Sequence, residues 1–445
     1  MTAIVPEESN NRRSSNTLHN DGDLAIEEIE LEKMFHVKLA ERRYEIFKKV
    51  VCRNSSEDIR SAWASFYGIA CIVGPVTSTF LYTLVPIHNV LQFPEYWFEL
   101  PLQAMFGLGP IWCFYIIYLC SSYMNVRCIK TIRHFVQMWL ISGVAVFSCI
   151  LISYMVWVHI LNYHYPVPLT GYLIVLCLII SGMLVLWNIF PIKWRMNEQF
   201  RKRLRNFIYV FIYQQFTTIE YGIATSVLHG VPKDYQWIAA AFLPLVREAN
   251  VWIITKLVSK VANGDFQGVR IVLIHTNYTS HALILAITVG SIATTASTAV
   301  IIGEDFLINL FICLKIIYLK KYKNENPTTM DEMIKELQEL VVSEMVNFVV
   351  PCCYLLCFLA AYYGPNAELI GDVKNGYWQY SAVDDVDQTI KYLCVLWAID
   401  TISLVICMLL LWVFCEVNLY KINAALLMEF GKGFCIATMA SVNGV

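Results

Sequence analysis

Charged side chains are scarce in this chain of 445 residues. Only 15% of the residues are Asp, Glu, Lys or Arg, and 57% are hydrophobic, whereas ordinary soluble proteins carry about 25% charged residues. The formal net charge is -2, and a surface that binds nucleic acid needs a clear excess of basic residues. The composition therefore argues against a soluble protein and against nucleic acid as a partner.

Enzymatic motifs are missing as well. The sequence contains no Walker A pattern, no His-Glu-x-x-His and no Gly-x-Ser-x-Gly, which are short signatures of phosphate binding, zinc catalysis and a nucleophilic serine. His275 and His281 do not have the i,i+4 spacing of two metal ligands on a helix. We therefore expect a protein that is not an enzyme and that uses no metal or cofactor.

Two marks of a secreted protein are also missing. The polar N-terminus, MTAIVPEESNNRRSSNTLHNDGD, has no apolar stretch long enough for a cleavable signal peptide, so the first span is expected to act as an uncleaved anchor. The 15 cysteines fall inside apolar runs or in segments expected to face the cytosol, where disulfides are rare. A disulfide framework is not expected.

Long apolar runs, by contrast, are abundant. A helix needs about 20 apolar residues to cross a hydrocarbon core, and hydropathy predicts about ten such spans. They cover residues 63–87, 101–124, 135–161, 167–190, 206–228, 236–257, 271–302, 305–319, 342–363 and 391–415. We expect an all-α polytopic integral membrane protein whose transmembrane helical bundle occupies residues 63–415, in the plasma membrane or an endomembrane.

The charges between the spans predict the orientation. Lysine and arginine collect in alternate loops, most densely at residues 193–205 and 320–323, whereas the intervening loops are acidic or neutral. The positive-inside rule then places both termini in the cytosol.

The two ends of the chain are expected to lie outside the spans. Residues 1–62 predict a cytosolic region with a disordered start, rich in Asn, Ser and charge, followed by a helix. Residues 416–445 are apolar but are interrupted by Glu429, Gly431 and Lys432. We interpret them as a cytosolic or interfacial segment that enters the membrane without crossing it.

Four charged residues stand out because they lie within predicted spans. Glu220 belongs to the fifth span, Arg247 and Glu248 to the sixth, and Asp400 to the tenth. At about 1.5 Å of rise per residue, Glu220 is roughly 20 Å from the cytosolic start of its span. Arg247 and Glu248 are roughly 17 Å, and Asp400 roughly 14 Å, from the outer ends of theirs. Charges at this depth usually face a protein interior or an aqueous path.

Neighbouring polar residues extend the candidate site. Gln215 and Thr218 precede Glu220, and Asn250 follows Glu248. Carboxylates beside one arginine can bind and release protons or cations as the geometry changes. A fixed ion pair that only orders the bundle is the alternative for the same residues.

The sequence therefore predicts a multi-pass transporter that moves a small polar solute or ion. Coupling to protons or cations would run through the mid-membrane carboxylates and Arg247. The alternative is a multi-pass receptor or a ligand-gated ion channel, in which the same charges would form a switch. The lipid bilayer is the expected surrounding in either case, and a homo-oligomer is compatible with both.

Overall fold

The computed structural model describes residues 68–77, 109–124, 132–160, 170–262, 267–291, 295–323, 327–363 and 386–442. These segments are almost entirely helical and contain no strand. In chain order the helices are α1 (Gly68–Thr77), α2 (Gly109–Met124), α3 (Ile132–Tyr154), α4 (Thr170–Ile189), α5 (Ile192–Met196), α6 (Glu198–Gly230), α7 (Gln236–Ala241), α8 (Leu243–Ala262), α9 (Gln267–Ser291), α10 (Thr295–Lys323), α11 (Pro327–Tyr363), α12 (Val386–Cys415) and α13 (Leu419–Val442). A π-helical turn, Met155–Ile160, extends α3, and a 3₁₀ turn, Lys233–Tyr235, precedes α7.

Five stretches of the described helices are long and apolar enough to cross a membrane: Ile132–Ile152, Gln236–Val258, Arg270–Val289, Glu332–Leu359 and Thr389–Cys415. An all-helical architecture is what a bilayer allows, because a helix satisfies its own backbone hydrogen bonds. The helical fold and the apolar stretches are compatible with integration into a membrane, as the composition predicted. The predicted region 1–62 lies outside the described residues.

Helix α9 is the centre of the bundle. It packs against α2, α6, α8, α11, α12 and α13. Its apolar stretch Arg270–Val289 is 89% buried, against 28% for the stretch of α3 and for that of α12. Helices α3 and α12 instead expose large apolar side chains such as Leu140, Ile152 and Trp412. Aliphatic and aromatic side chains turned outward suit a hydrocarbon environment, so α3 and α12 form part of the periphery.

The structure corrects the boundary between the seventh and eighth predicted spans. We expected a turn at Gly303 and Glu304, but α10 is continuous from Thr295 to Lys323, and α9 ends at Ser291. Gly303 fits into the helix because it costs only about 1 kcal/mol relative to alanine. Asp305, which the sequence placed where an acidic outer loop meets the eighth span, consequently lies three turns inside a helix of 29 residues.

The C-terminal segment is helical. The glycine and charges that interrupt its apolar run do not break α13, which is one continuous helix of 24 residues. Its residues Ile422, Phe434 and Ala437 are at most 1% exposed, because α13 packs against α2, α9 and α11. Tertiary packing thus overrides the weak helix propensity of glycine.

Local signals explain where α12 stops and α13 starts. The amide of Val417 donates to the carbonyl of Leu411 at 3.1 Å, and Glu416 has a φ of 53°. This is the arrangement of a Schellman motif, with glutamate at the position where glycine is usual. Asn418 then caps α13, since its side-chain oxygen accepts a hydrogen bond from the amide of Lys421 at 3.2 Å.

A glycine fixes the contact between α13 and α2. A Cβ atom at Gly433 would lie 2.6 to 2.8 Å from three atoms of Tyr118. We expect Gly433→Ala to lower the free energy of unfolding by about 1–3 kcal/mol, the usual cost of overpacking. Gly303→Ala is the matched control, because a Cβ there meets nothing within 4 Å. Thermal unfolding of the purified protein measures both, and equal melting temperatures of the two variants would contradict the contact.

Candidate functional site

Arg247 is a fully buried cation in the middle of the bundle. Helix α8 starts at Leu243, and Arg247 and Asn250 share the face that it turns inward, with exposures of 1% and 2%. The guanidinium donates through Nη1 to Asp305 Oδ1 and through Nε to Glu248 Oε1 at 3.1 Å. It also lies 5.3 Å from the centre of the Tyr278 ring, a cation–π contact.

Asp305 joins three helices. Its Oδ1 accepts from Arg247 of α8, and its Oδ2 accepts from Nδ2 of Asn347 on α11. Both oxygens of the carboxylate are therefore occupied, as a buried charge requires. The direct partner of Arg247 across the bundle is Asp305; it is neither Glu220 nor Asp400, the carboxylates that the sequence suggested.

Two further carboxylates lie beside this pair. Glu344 of α11 is 1% exposed, and its Oε1 accepts a hydrogen bond from Ser403 Oγ of α12 at 2.9 Å. Its Oε2 has no N–H or O–H partner among the described residues, and the thiol of Cys407 on α12 also interacts with this carboxylate. Asp400, one turn before Ser403, is 7% exposed and interacts electrostatically with Asp305, Glu344 and Arg247.

These groups are unbalanced in charge. Asp305, Glu344 and Asp400, called here the carboxylate cluster, are three buried acids. Among the described residues, the carboxylate cluster forms one ion pair, which joins Asp305 to Arg247. Fully ionised, the cluster and Arg247 would carry a net charge of about -2, which a low-dielectric interior strongly disfavours. At least two positive charges, whether protons or cations, are needed to balance it.

A second group of polar side chains also lies near Arg247, which interacts electrostatically with Tyr221 and His281. Tyr213 donates to Asn250 Oδ1 at 2.8 Å, and Asn250 Nδ2 donates to Glu220 Oε2 at 3.1 Å. Tyr221 donates to Asn277 Oδ1 at 3.1 Å. These contacts tie α6 to α8 and to α9.

His281 completes the second group. Its ring centre lies 5.5 Å from that of Tyr221, and it interacts electrostatically with Arg247. Asn277 and His281 are four residues apart and therefore share one face of α9. We refer to Tyr213, Glu220, Tyr221, Asn250, Asn277 and His281 as the amide network.

Most of the residues that the sequence suggested lie in or beside these groups. Arg247 and Glu248 form an ion pair, although Glu248 keeps 39% of its side chain exposed. Asp400 belongs to the carboxylate cluster, and Glu220 and Asn250 belong to the amide network. Asn250 follows Glu248 by two positions and was therefore expected on a different helix face. It follows Arg247 by three positions, which turns both side chains inward.

Gln215 and Thr218 stand apart from this arrangement. Gln215 is half-buried on α6 and takes part in none of the hydrogen bonds given above. The side chain of Thr218 lies outside what the structure describes. The neighbouring Gln214 is the glutamine of α6 that is buried, with an exposure of 1%.

Sequence reasoning missed Asp305, Glu344 and Asn347. Asp305 was assigned to an acidic outer loop because the turn was placed too late. Glu344 and Asn347 carried a usable signal: they are three residues apart in the apolar run LVVSEMVNFVV, a spacing that puts both on one helix face. On α12, Asp400 and Ser403 repeat this spacing.

No three His, Cys, Asp or Glu side chains of the described segments converge on a point where a metal ion could bind. No protein-family model matches the chain, and neither a curated protein nor a solved structure shows a significant similarity to it. The functional argument therefore rests on the chemistry of the carboxylate cluster and the amide network.

Proposed function

We propose that the protein is a multi-pass membrane carrier that moves a small polar solute or ion and couples this movement to protons or cations. The observation that carries the proposal is the surplus of buried acids: Asp305, Glu344 and Asp400 against Arg247. A bundle that needed Arg247 only for order would be neutralised by one of them. Glu344 and Asp400 are the groups that this leaves for a mobile positive charge.

Protons suit these two acids better than a shared metal ion. Asp305, Glu344 and Asp400 come from three helices. Among the described residues, no three His, Cys, Asp or Glu side chains meet at a point where a metal ion could bind. A proton needs one carboxyl group, and a buried carboxyl group without a cationic partner favours its protonated form. Ser403 already holds one oxygen of Glu344, which leaves Oε2 as the atom that takes up the proton.

The coupling follows from the position of Asp305. It interacts electrostatically with Glu344 and with Asp400, and it holds the guanidinium of Arg247, which also interacts with Tyr221 and His281 of the amide network. Protonation of Glu344 and Asp400 removes negative charge next to Asp305 and leaves Arg247 better able to attract an anionic or acceptor-rich solute. Binding of the proton and of the solute thereby favour one another, as coupled transport requires.

The topology that accompanies this proposal has ten crossings and both termini in the cytosol. The basic residues of α5, α6 and the end of α10 would then lie on the cytosolic side. One contact supports this arrangement: Lys320 Nζ of α10 donates to the carbonyl of Cys415 at the end of α12. Both ends are cytosolic in the ten-span topology, and the contact places them at the same level.

Proteoliposomes loaded with a pH-sensitive dye test the proposal. Lactate, glycine, glucose and uridine, added outside one at a time, represent anionic, zwitterionic and neutral solutes. We expect at least one of them to acidify the lumen at a rate that saturates with solute concentration and exceeds the rate in empty liposomes by about tenfold.

Two results would contradict the carrier. If no solute moves protons in either direction, the carboxylate cluster does not couple transport. If a solute instead evokes sustained, ohmic single-channel currents that do not depend on the pH gradient, the protein is a ligand-gated channel.

A further inference from the structure

Three nearly fully buried polar side chains around Tyr221 have an atom without a hydrogen-bond partner among the described residues. They are Nη2 of Arg247, Nδ2 of Asn277 and Nε2 of His281, in side chains that are 1%, 0% and 1% exposed. An unpaired buried polar group costs about 1–3 kcal/mol. Three of them in one place indicate a binding surface that a polar ligand completes.

The three atoms lie around one ring. Tyr221 of α6 donates to Asn277 and contacts the ring of His281, and it interacts electrostatically with Arg247. Tyr278, next to Asn277 on α9, lies under the guanidinium. Helices α6, α8 and α9 thus each contribute to a small site with aromatic walls, called here the donor pocket.

The hydrogen-bonding character of each atom defines the ligand. Arg247 Nη2 and Asn277 Nδ2 can only donate, so they require an acceptor-rich group, and a guanidinium prefers a carboxylate. The other ring nitrogen of His281 is bonded to the backbone of Leu243. In a neutral imidazole whose N–H donates to a carbonyl, the second nitrogen carries a lone pair. His281 Nε2 therefore requires a donor from the ligand.

We propose that the donor pocket binds a small carboxylate whose adjacent carbon bears a hydroxyl or ammonium group. The carboxylate would accept from Arg247 and Asn277, and the neighbouring O–H or N–H would donate to His281. This inference rests on the proposed function, since it names the substrate class of the same site.

The charge balance links the pocket to the carboxylate cluster. Asp305 and Glu248 already pair with the guanidinium, and Glu220 interacts electrostatically with Tyr221, so a further carboxylate would bring another negative charge next to several acids. Protons on Glu344 and Asp400 offset that charge, and the bound carboxylate in turn favours their protonation. The ligand is thus expected to bind more tightly at acidic than at neutral pH.

Thermal unfolding of the full-length protein in detergent micelles tests the inference without any transport. L-lactate and glycine carry both groups, acetate lacks the adjacent donor, and lactamide lacks the carboxylate. At concentrations well above Kd, we expect lactate or glycine to raise Tm by about 2 °C or more. Acetate should bind at least about tenfold more weakly, and lactamide should give no shift. This comparison needs no variant.

A pair of variants then locates the site. Asn277→Leu removes the Nδ2 donor and also the bond to Tyr221, and it should abolish the Tm shift. Asn309→Leu is the matched control: it also removes a buried amide, 1% exposed, but that amide accepts a hydrogen bond from Ser343 of α11 outside the donor pocket, so the shift should persist. A Tm shift that survives Asn277→Leu would overturn the inference. Shifts with acetate and lactamide as large as those with lactate and glycine would also overturn it, and so would the absence of a shift with lactate and glycine.

The two experiments distinguish a failure of the donor pocket from a failure of the proposed function. Proton movement driven by another solute, without stabilisation by any carboxylate, would overturn the donor pocket and leave the carrier. Stabilisation by lactate or glycine without proton movement would leave the pocket and overturn the carrier.

Discussion

Arg247→Met is expected to destabilise the protein by about 3–5 kcal/mol, because it leaves the buried Asp305 without its counter-charge. Methionine keeps most of the apolar stem of the arginine, so lost packing contributes little. A fall of Tm by about 5 °C or more in detergent micelles is the expected measurement.

Lys315→Met is the matched control for this variant. Lys315 is also a cation of the bundle and pairs with Glu336 at 2.5 Å, but its side chain is 37% exposed. Pairs of exposed side chains are worth about 0–1 kcal/mol, so this variant should melt within about 2 °C of the wild type.

A double-variant cycle isolates the pair from the rest of the site. Arg247→Met combined with Asp305→Asn removes both charges and leaves Asn347 its acceptor oxygen. The combination should be less destabilised than the sum of the two single variants, by about 2 kcal/mol or more. Additive effects, or a loss in Arg247→Met no larger than in Lys315→Met, would show that the pair is not a buried ionic link.

The sequence was sufficient for the helical class of fold and for the burial of two of the four charged residues that it singled out. Few charges and long apolar runs leave a helical membrane bundle as the solution, because a bilayer demands that backbone hydrogen bonds be made within each segment. The cost of burying charge then singled out Arg247 and Asp400 without any motif. Both are at most 7% exposed, as that argument required.

The partners of these residues could not be read from the sequence. Which carboxylate meets Arg247 depends on how α8, α10 and α11 are arranged around α9, and hydropathy carries no information on lateral packing. The turn placed at Gly303 was a second reason why the partner of Arg247 was missed, because it moved Asp305 from the interior of a helix to a loop. A run of small residues from Gly290 to Gly303 has no sharp hydropathy minimum, so its turn has no clear position.

The pairing changes what the central residues are expected to do. Glu220, first grouped with Arg247, is held by Asn250 and therefore belongs to the amide network. Glu344, which the sequence analysis did not select, has an oxygen without an N–H or O–H partner among the described residues. We therefore propose separate places for the proton, at the carboxylate cluster, and for the solute, at the donor pocket.

Glu344→Gln is expected to leave stability nearly unchanged and to abolish the movement of protons. If Glu344 is protonated in the resting carrier, glutamine replaces a neutral group of the same shape, and Ser403 can still donate to its amide oxygen. The Tm should then stay within about 2 °C of that of the wild type. Asp305→Asn should be far more damaging, since it leaves Arg247 buried without its carboxylate.

The effect of Glu344→Gln on function should be large, although its effect on stability should be small. Lumenal acidification by the transported solute should fall by about tenfold or more, because a glutamine cannot take up and release a proton. Counterflow of labelled solute, which needs no net proton movement, should persist. Asp400→Asn is expected to resemble Glu344→Gln in both measurements, as the second acid without a cation.

Glu198→Gln supplies the matched control, because Glu198 is an exposed carboxylate in the first turn of α6. It should change neither Tm nor acidification. A strongly destabilised Glu344→Gln would mean that Glu344 is ionised and held by a cation, and the surplus of buried acids would then not exist. A stable variant with unchanged acidification would assign the proton to Asp400 alone, and the same result in Asp400→Asn would remove the carboxylate cluster from the coupling mechanism.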